Sequence, residues 1–202
     1  MGKILFRPWV GAFYRGGIQG KKVLVLGESH YCANASDAYA DMTIDIIKDL
    51  MDPSSEFEEY KNTYTKFAEA ISGRKLSWNS FSELERIWNS IAFYNFVQEP
   101  ISGARVSPTT AQFRDSDEAF FQVLENLRPD VVIAWGTRLY NNLPQKGTQG
   151  PDTPTPDGNG VETWTYTISG GHVVKVLPIT HPSAGFSPEY WNSVIDTFLG
   201  SK

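Results

Sequence analysis

The chain has 202 residues, and its hydrophobic (41%) and charged (20%) fractions suit one soluble globular domain with a sizeable core. No apolar run approaches the roughly 20 residues that span a bilayer, the start lacks a signal-peptide pattern, and the lone Cys32 excludes an internal disulfide or a cysteine-held cluster. The expected setting is cytoplasmic. A net charge of −5 speaks against a generally basic nucleic-acid binder, but the charge is uneven: residues 37 to 59 hold eight carboxylates and one lysine, while Lys3, Arg7, Arg15, Lys21 and Lys22 make the start basic.

In chain order, KVLVLG (22–27) predicts a buried strand ending in a glycine loop. Residues 38 to 88 carry helical periodicity in three pieces, punctuated by Asp52-Pro53 and Ser72-Gly73, and the acidic run is expected to be a solvated helix face. IAFYNFV (91–97) predicts a second strand. SPTTAQFRDSDEAFFQVLENLRPD (107–130) predicts one helix with its start signal, DVVIAWG (130–136) a third strand, and TRLYNNL a short helix. Residues 144 to 160, rich in proline, glycine and threonine, predict an exposed, mobile loop. VETWTYTI and HVVKVLPI predict two strands joined across Ser169-Gly170-Gly171. SPEYWNSVIDTFL predicts an amphipathic helix capped by Ser187 with Pro188 first.

Alternating strands and helices predict a three-layer α/β/α sandwich around a mainly parallel sheet. Ligands of such sheets bind beyond the carboxyl ends of the strands. Three of those ends carry polar or special residues: Gly27-Glu28-Ser29-His30-Tyr31-Cys32 after the first strand, Asn95 near the end of the second, and Thr180-His181-Pro182-Ser183 after the last.

Those three positions, in that order, resemble the uracil-DNA glycosylase superfamily. Its first motif reads G-Q-D-P-Y-H in one branch and G-E-x-P-G in the iron–sulfur branch, where this chain has GESHYC. Its second strand follows patterns like Y-I-T-N-x-V, here Phe93-Tyr94-Asn95-Phe96-Val97. A proline–threonine helix start and R-P-x-V-I-V-x-L-G match Pro108-Thr109 and Arg128 to Gly136, and H-P-S matches His181-Pro182-Ser183. The ordered match covers about three quarters of the chain. It departs in lacking the proline of both branches, and Ser29 stands where one branch has its water-activating aspartate. The cluster-binding cysteines are absent, so no cluster is carried over.

The resemblance implies a DNA glycosylase that flips a base from the stack and hydrolyses its bond to the sugar. His181 would stabilise negative charge on the departing base, and Glu28 would position water and stabilise the sugar cation. Asn95 would read the N3–H and O4 of uracil, Tyr31 would crowd the C5 edge, and Gly27 would open the base-binding loop. Ser183 and Pro182 would meet a phosphate of the DNA, and Phe186 would enter the vacated stack. The stacking aromatic is left open among Phe13, Tyr14 and Tyr39. No metal or organic cofactor is implied, and oligomeric state is not legible.

Read without the resemblance, His181 also fits a strand-end residue bonded to backbone, Glu28 a salt bridge to a nearby lysine or arginine, and Phe186 a side chain packed under its loop. His30, Cys32 and Glu28 crowd one loop with poor zinc spacing, His172 reads as solvent-facing, and GESHYC lacks the further glycines of a dinucleotide site. Two rival functions stand beside the glycosylase: a catalytically inactive glycosylase-like module that binds nucleic acid or protein, and a hydrolase of free nucleosides or nucleotides.

Overall fold

The computed structural model describes residues 4–103, 106–183 and 185–200, so Lys3 of the basic segment lies outside the described residues. The first strands are β1 (Trp9–Val10) and β2 (Val23–Gly27), followed by helices α1 (Met42–Met51), α2 (Tyr60–Ser72) and α3 (Phe81–Trp88). Then come β3 (Ala92–Asn95), α4 (Thr110–Asp115), α5 (Asp117–Leu127), β4 (Val131–Trp135) and α6 (Thr137–Asn141). Short strands β5 (Thr148–Gln149), β6 (Thr153–Pro154) and β7 (Gly160–Val161) precede β8 (Trp164–Ile168), β9 (His172–Ile179) and α7 (Pro188–Gly200).

This is a mixed α/β fold around a seven-stranded sheet of order β1-β3-β2-β4-β9-β8-β5. The four central strands, β3, β2, β4 and β9, run parallel. β1, β8 and β5 add antiparallel flanks. The unbroken apolar character of β2 and β4 follows from burial on both faces. Val23 and Val25 of β2, Ile133 of β4 and Ile179 of β9 enter one core with Ile47, Phe67, Trp88 and Val194 from α1, α2, α3 and α7. Their neighbours Leu24, Leu26, Val132 and Val176 enter a second core with Phe113, Phe120 and Leu139 from α4, α5 and α6.

Several predicted boundaries move. The helix expected over 107–130 divides at Ser116, whose hydroxyl donates to the Gln112 carbonyl (2.8 Å) and accepts from the Gln98 N–H (3.0 Å). Its first half opens on a Thr109–Gln112 capping box, and its second ends at Arg128, forced to φ 45° ahead of Pro129. The 144–160 segment is more than an exposed loop: it carries β5 to β7, and Thr153 and Thr155 are buried. Ser187 Oγ accepts from Tyr190 N–H at the start of α7 (3.3 Å), as the capping pattern predicts. His172 is part-buried on the Pro129 carbonyl rather than solvent-facing. Among the described residues no helix is long and apolar enough to cross a membrane.

The two oppositely charged segments meet: Arg7 pairs with Asp41. The start of the chain is pinned from both sides, since Leu5 and Phe6 N–H donate to Gln98 Oε1 (2.9 and 3.1 Å) and β1 pairs with β3.

Candidate functional site

The connection after β2 leads to β3 on one side of it, and β3 leads back to β4 on the other. The order in which strands are added therefore switches sides of the sheet between β2 and β4, where open α/β sheets form their crevice. A cavity of about 350 Å³ lies there, lined by Gly27 to Tyr31, Asn95, Trp135 and His181 at the carboxyl ends of all four parallel strands. A second cavity of about 290 Å³ shares Glu28, Tyr31, Trp135 and His181 and continues to Thr137, Arg138 and Thr180. The structure thus brings together Gly27, Glu28, Tyr31, Asn95 and His181.

Gly27 and Asn95 are register partners of β2 and β3. A Cβ on Gly27 would sit 2.3 Å from Asn95 Oδ1 and 3.0 Å from the Phe93 ring, so only glycine lets the amide lie over this backbone. Asn95 is buried, and its Nδ2 is 3.0 Å from His30 Nε2, which also lies 2.7 Å from Thr43 Oγ1. His30 is a site residue that the sequence reading treated only as a weak metal ligand. Cys32, its supposed companion, lies against Met42, and no cluster of three or more His, Cys, Asp or Glu suited to a metal occurs among the described residues.

Burial pushes the His30 pKa from 6.5 down to about 4. An unfolded chain takes up a proton at this ring below about pH 6.5, whereas the folded chain does so only near pH 4. Its contribution to stability is therefore full above 6.5 and lost as pH falls toward 4. Between pH 7 and pH 5 the wild type is expected to lose roughly 2 kcal/mol from this one group, and a folded His30→Leu variant to lack that increment. Urea titrations of both proteins at the two pH values check it, and an equal loss in both would exclude His30 as its source.

Glu28 is buried and its carboxylate receives a two-pronged contact from Arg138, Nε to Oε2 at 2.7 Å and Nη2 to Oε1 at 2.6 Å. Arg138 follows β4 at the start of α6 and also donates to Ser107 Oγ (2.6 Å). Glu28 thus makes the salt bridge to an arginine that the residues read alone suggest, and each of its oxygens keeps lone pairs beyond that contact.

His181 stands edge-on to Trp135, ring centroids 5.9 Å apart. Its Nδ1 accepts the Ser183 N–H (3.2 Å) and lies 2.8 Å from Ser183 Oγ. With Nδ1 accepting, the proton of a neutral ring sits on Nε2, which has no hydrogen bond among the described residues. Burial lowers the His181 pKa, as does Arg138, against an opposing pull from Glu28. A neutral ring with a free donor results. Ser183, expected at a phosphate, has its N–H committed to orienting His181; Pro182 is buried beside it.

Two expectations need correction. Phe186, expected to enter a duplex, is buried in the first core, where its ring stacks on Trp191 of α7, 6.3 Å and 8° apart. None of Phe13, Tyr14 and Tyr39 lines the cavity: Phe13 and Tyr39 are exposed and Tyr14 is buried in the second core. Instead Phe93, Tyr64 and Trp135 form a mutually packed aromatic wall with centroids 5.2 to 5.4 Å apart. Tyr31 lines both cavities and stays 46% exposed, a rim position.

In the acidic stretch Asp37, Asp45, Asp52, Glu56, Glu58 and Glu59 are exposed, as expected of a solvated run, while the other side of the two helices turns inward. Met42, Ile46, Tyr60, Thr63 and Tyr64, from α1 and α2, line the cavity. Asp49 receives the hydroxyls of Ser55 and Tyr60 and lies 3.0 Å from the Lys61 ammonium, which is 1% exposed.

Neither a scan against protein-family models nor a search of the curated proteins finds a match to this chain.

Proposed function

We propose that the chain is a DNA glycosylase that hydrolyses the N-glycosidic bond of uracil or another modified base, on a three-layer α/β/α fold of the uracil-DNA glycosylase type. The observation that carries this reading is the meeting of Asn95, Glu28 and His181 around one 350 Å³ cavity at the carboxyl ends of the parallel strands. A flipped base lies against the Phe93–Tyr64–Trp135 wall with its polar edge on Asn95. His181 donates through Nε2 to the oxygen on which negative charge grows, from a fixed position that needs no reorganisation as the charge develops. Glu28, held by Arg138, presents negative charge to the cationic sugar and a lone pair to the incoming water. The reading needs no metal and no organic cofactor.

The test is incubation of the protein with single- and double-stranded oligonucleotides carrying uracil, hypoxanthine, xanthine or hydroxymethyluracil. Alkali then reveals abasic sites. Strand scission at the modified position is expected; none on any substrate, with protein in excess, would sink the reading.

The Glu28–Arg138 pairing also favours a second reading, a glycosylase-like module that binds without cleaving. It predicts oligonucleotide or protein binding with no abasic product.

A further inference from the structure

An asparagine side chain has two ends of nearly equal size and opposite polarity. Turning it by 180° exchanges acceptor for donor, and with it the base edge it accepts. At Asn95 shape does not decide between the two, because the close contact over Gly27 is met by either end. Polarity does: the group facing the other end is His30 Nε2, 3.0 Å away.

We propose that His30 is a positioning residue that locks the Asn95 amide with its nitrogen inward, so that the pocket selects bases presenting an N–H beside a carbonyl. This rests on the reading of Asn95 as the group that meets the base. His30 is 3% exposed, and the Phe6 ring packs 4.6 Å from it, leaving its imidazole little room to turn. Thr43 Oγ1, 2.7 Å from the same nitrogen, holds the ring from the α1 side. With Nε2 unprotonated, its one lone pair is shared by the Thr43 hydroxyl and one amide N–H of Asn95, both donating. Asn95 Oδ1 then remains without a partner among the described residues, ready to accept a base N–H, and the second amide N–H serves the adjacent carbonyl. With Nε2 protonated the logic inverts: the carbonyl turns to His30, and the amide then offers an N–H where its acceptor stood and a carbonyl lone pair where its donor stood, which suits the N3 and N4–H2 of a cytosine-type edge.

Two measurements on the intact protein decide this, neither requiring turnover. Long-range ¹H–¹⁵N spectra at neutral pH should show His30 Nε2 as an unprotonated ring nitrogen, and a protonated Nε2 overturns the proposal. Titration with free uracil and free cytosine should show uracil binding about tenfold tighter, the size of one good amide pair. In His30→Leu, melting cooperatively, that ratio should collapse toward one; in Thr43→Val it should persist, because Nε2 keeps its lone pair for Asn95. Should His30→Leu fail to fold, the spectra and Thr43→Val carry the test, and loss of the ratio in Thr43→Val overturns it. A preserved ratio in folded His30→Leu, or binding of neither base at millimolar concentration, also overturns it. If the preference appears as expected but no oligonucleotide is cleaved, the glycosylase reading fails and the lock stands.

Discussion

On the proposed glycosylase reading, His181→Ala is expected to slow base release by about 10²- to 10³-fold in single-turnover assays, the loss typical of removing one oriented donor from a developing anion. Affinity for the modified oligonucleotide should change by about twofold or less, because the donor gains its strength only as charge moves onto the base. The geometry argues for an effect on rate. Ser183 N–H occupies Nδ1, leaving Nε2 as the donor, and burial keeps the ring neutral. The Trp135 ring packs edge-on to His181, and Gly136, whose φ of 96° suits glycine, keeps a side chain out of the space beside it. Equal single-turnover rates in wild type and variant would remove His181 from the chemistry.

Asp49→Ala should cost about 3 kcal/mol or more, since it strands an ammonium in the interior. Lys61 is 1% exposed, and Asp49 is the carboxylate within salt-bridge distance of it. The Ser55 hydroxyl (2.5 Å) and the Glu56 carbonyl (2.6 Å) remain as acceptors but bring no charge. For a chain of this size the loss corresponds to roughly 6–12 °C in Tm, read by calorimetric or circular-dichroism melts. Lys61→Met is the informative partner, because replacing a buried charge by an apolar side chain of similar length costs less than orphaning it. A milder effect of Asp49→Ala than of Lys61→Met would show that the ammonium finds water when its partner is removed. The consequence reaches the cavity, since Tyr60 donates to Asp49 and lines the pocket beside Tyr64.

What could be read from the sequence follows the physics of each signal. VLVLG, VVIAW and the apolar half of HVVKVLPI are buried on both faces, so composition alone marks them as strands, and polar residues at their ends mark a site. Asn95 and His181 were visible for that reason. Glu28 was visible as a residue but its partner was not: Arg138 is 110 positions away, and nothing local tells which cation reaches it. The two-residue strands β1, β5, β6 and β7 are too short for any alternation to show. The helical periodicity of α1 and α2 showed that one face is buried, yet not that part of it faces a cavity, so Tyr60 and Tyr64 went unread. His30 was misjudged because its neighbours in sequence suggested a ligand set, whereas its neighbours in space are an amide and a hydroxyl. Phe186 lies beside the motif in sequence, but its ring answers to Trp191 on the following helix.

The close approach of Gly27 to Asn95 has a consequence for how such a site diverges. A methyl group at position 27 would occupy the place now held by Asn95 Oδ1, 2.3 Å away. Any side chain at 27 is therefore disfavoured for as long as Asn95 keeps its present rotamer. A smaller residue at 95 lifts that barrier. The two positions are coupled in order, and changes at them are not additive. A lineage that abandons the asparagine frees the glycine to vary, whereas one that alters the glycine first loses the amide's seat. The path away from the present arrangement thus opens at β3, and the β2 loop follows.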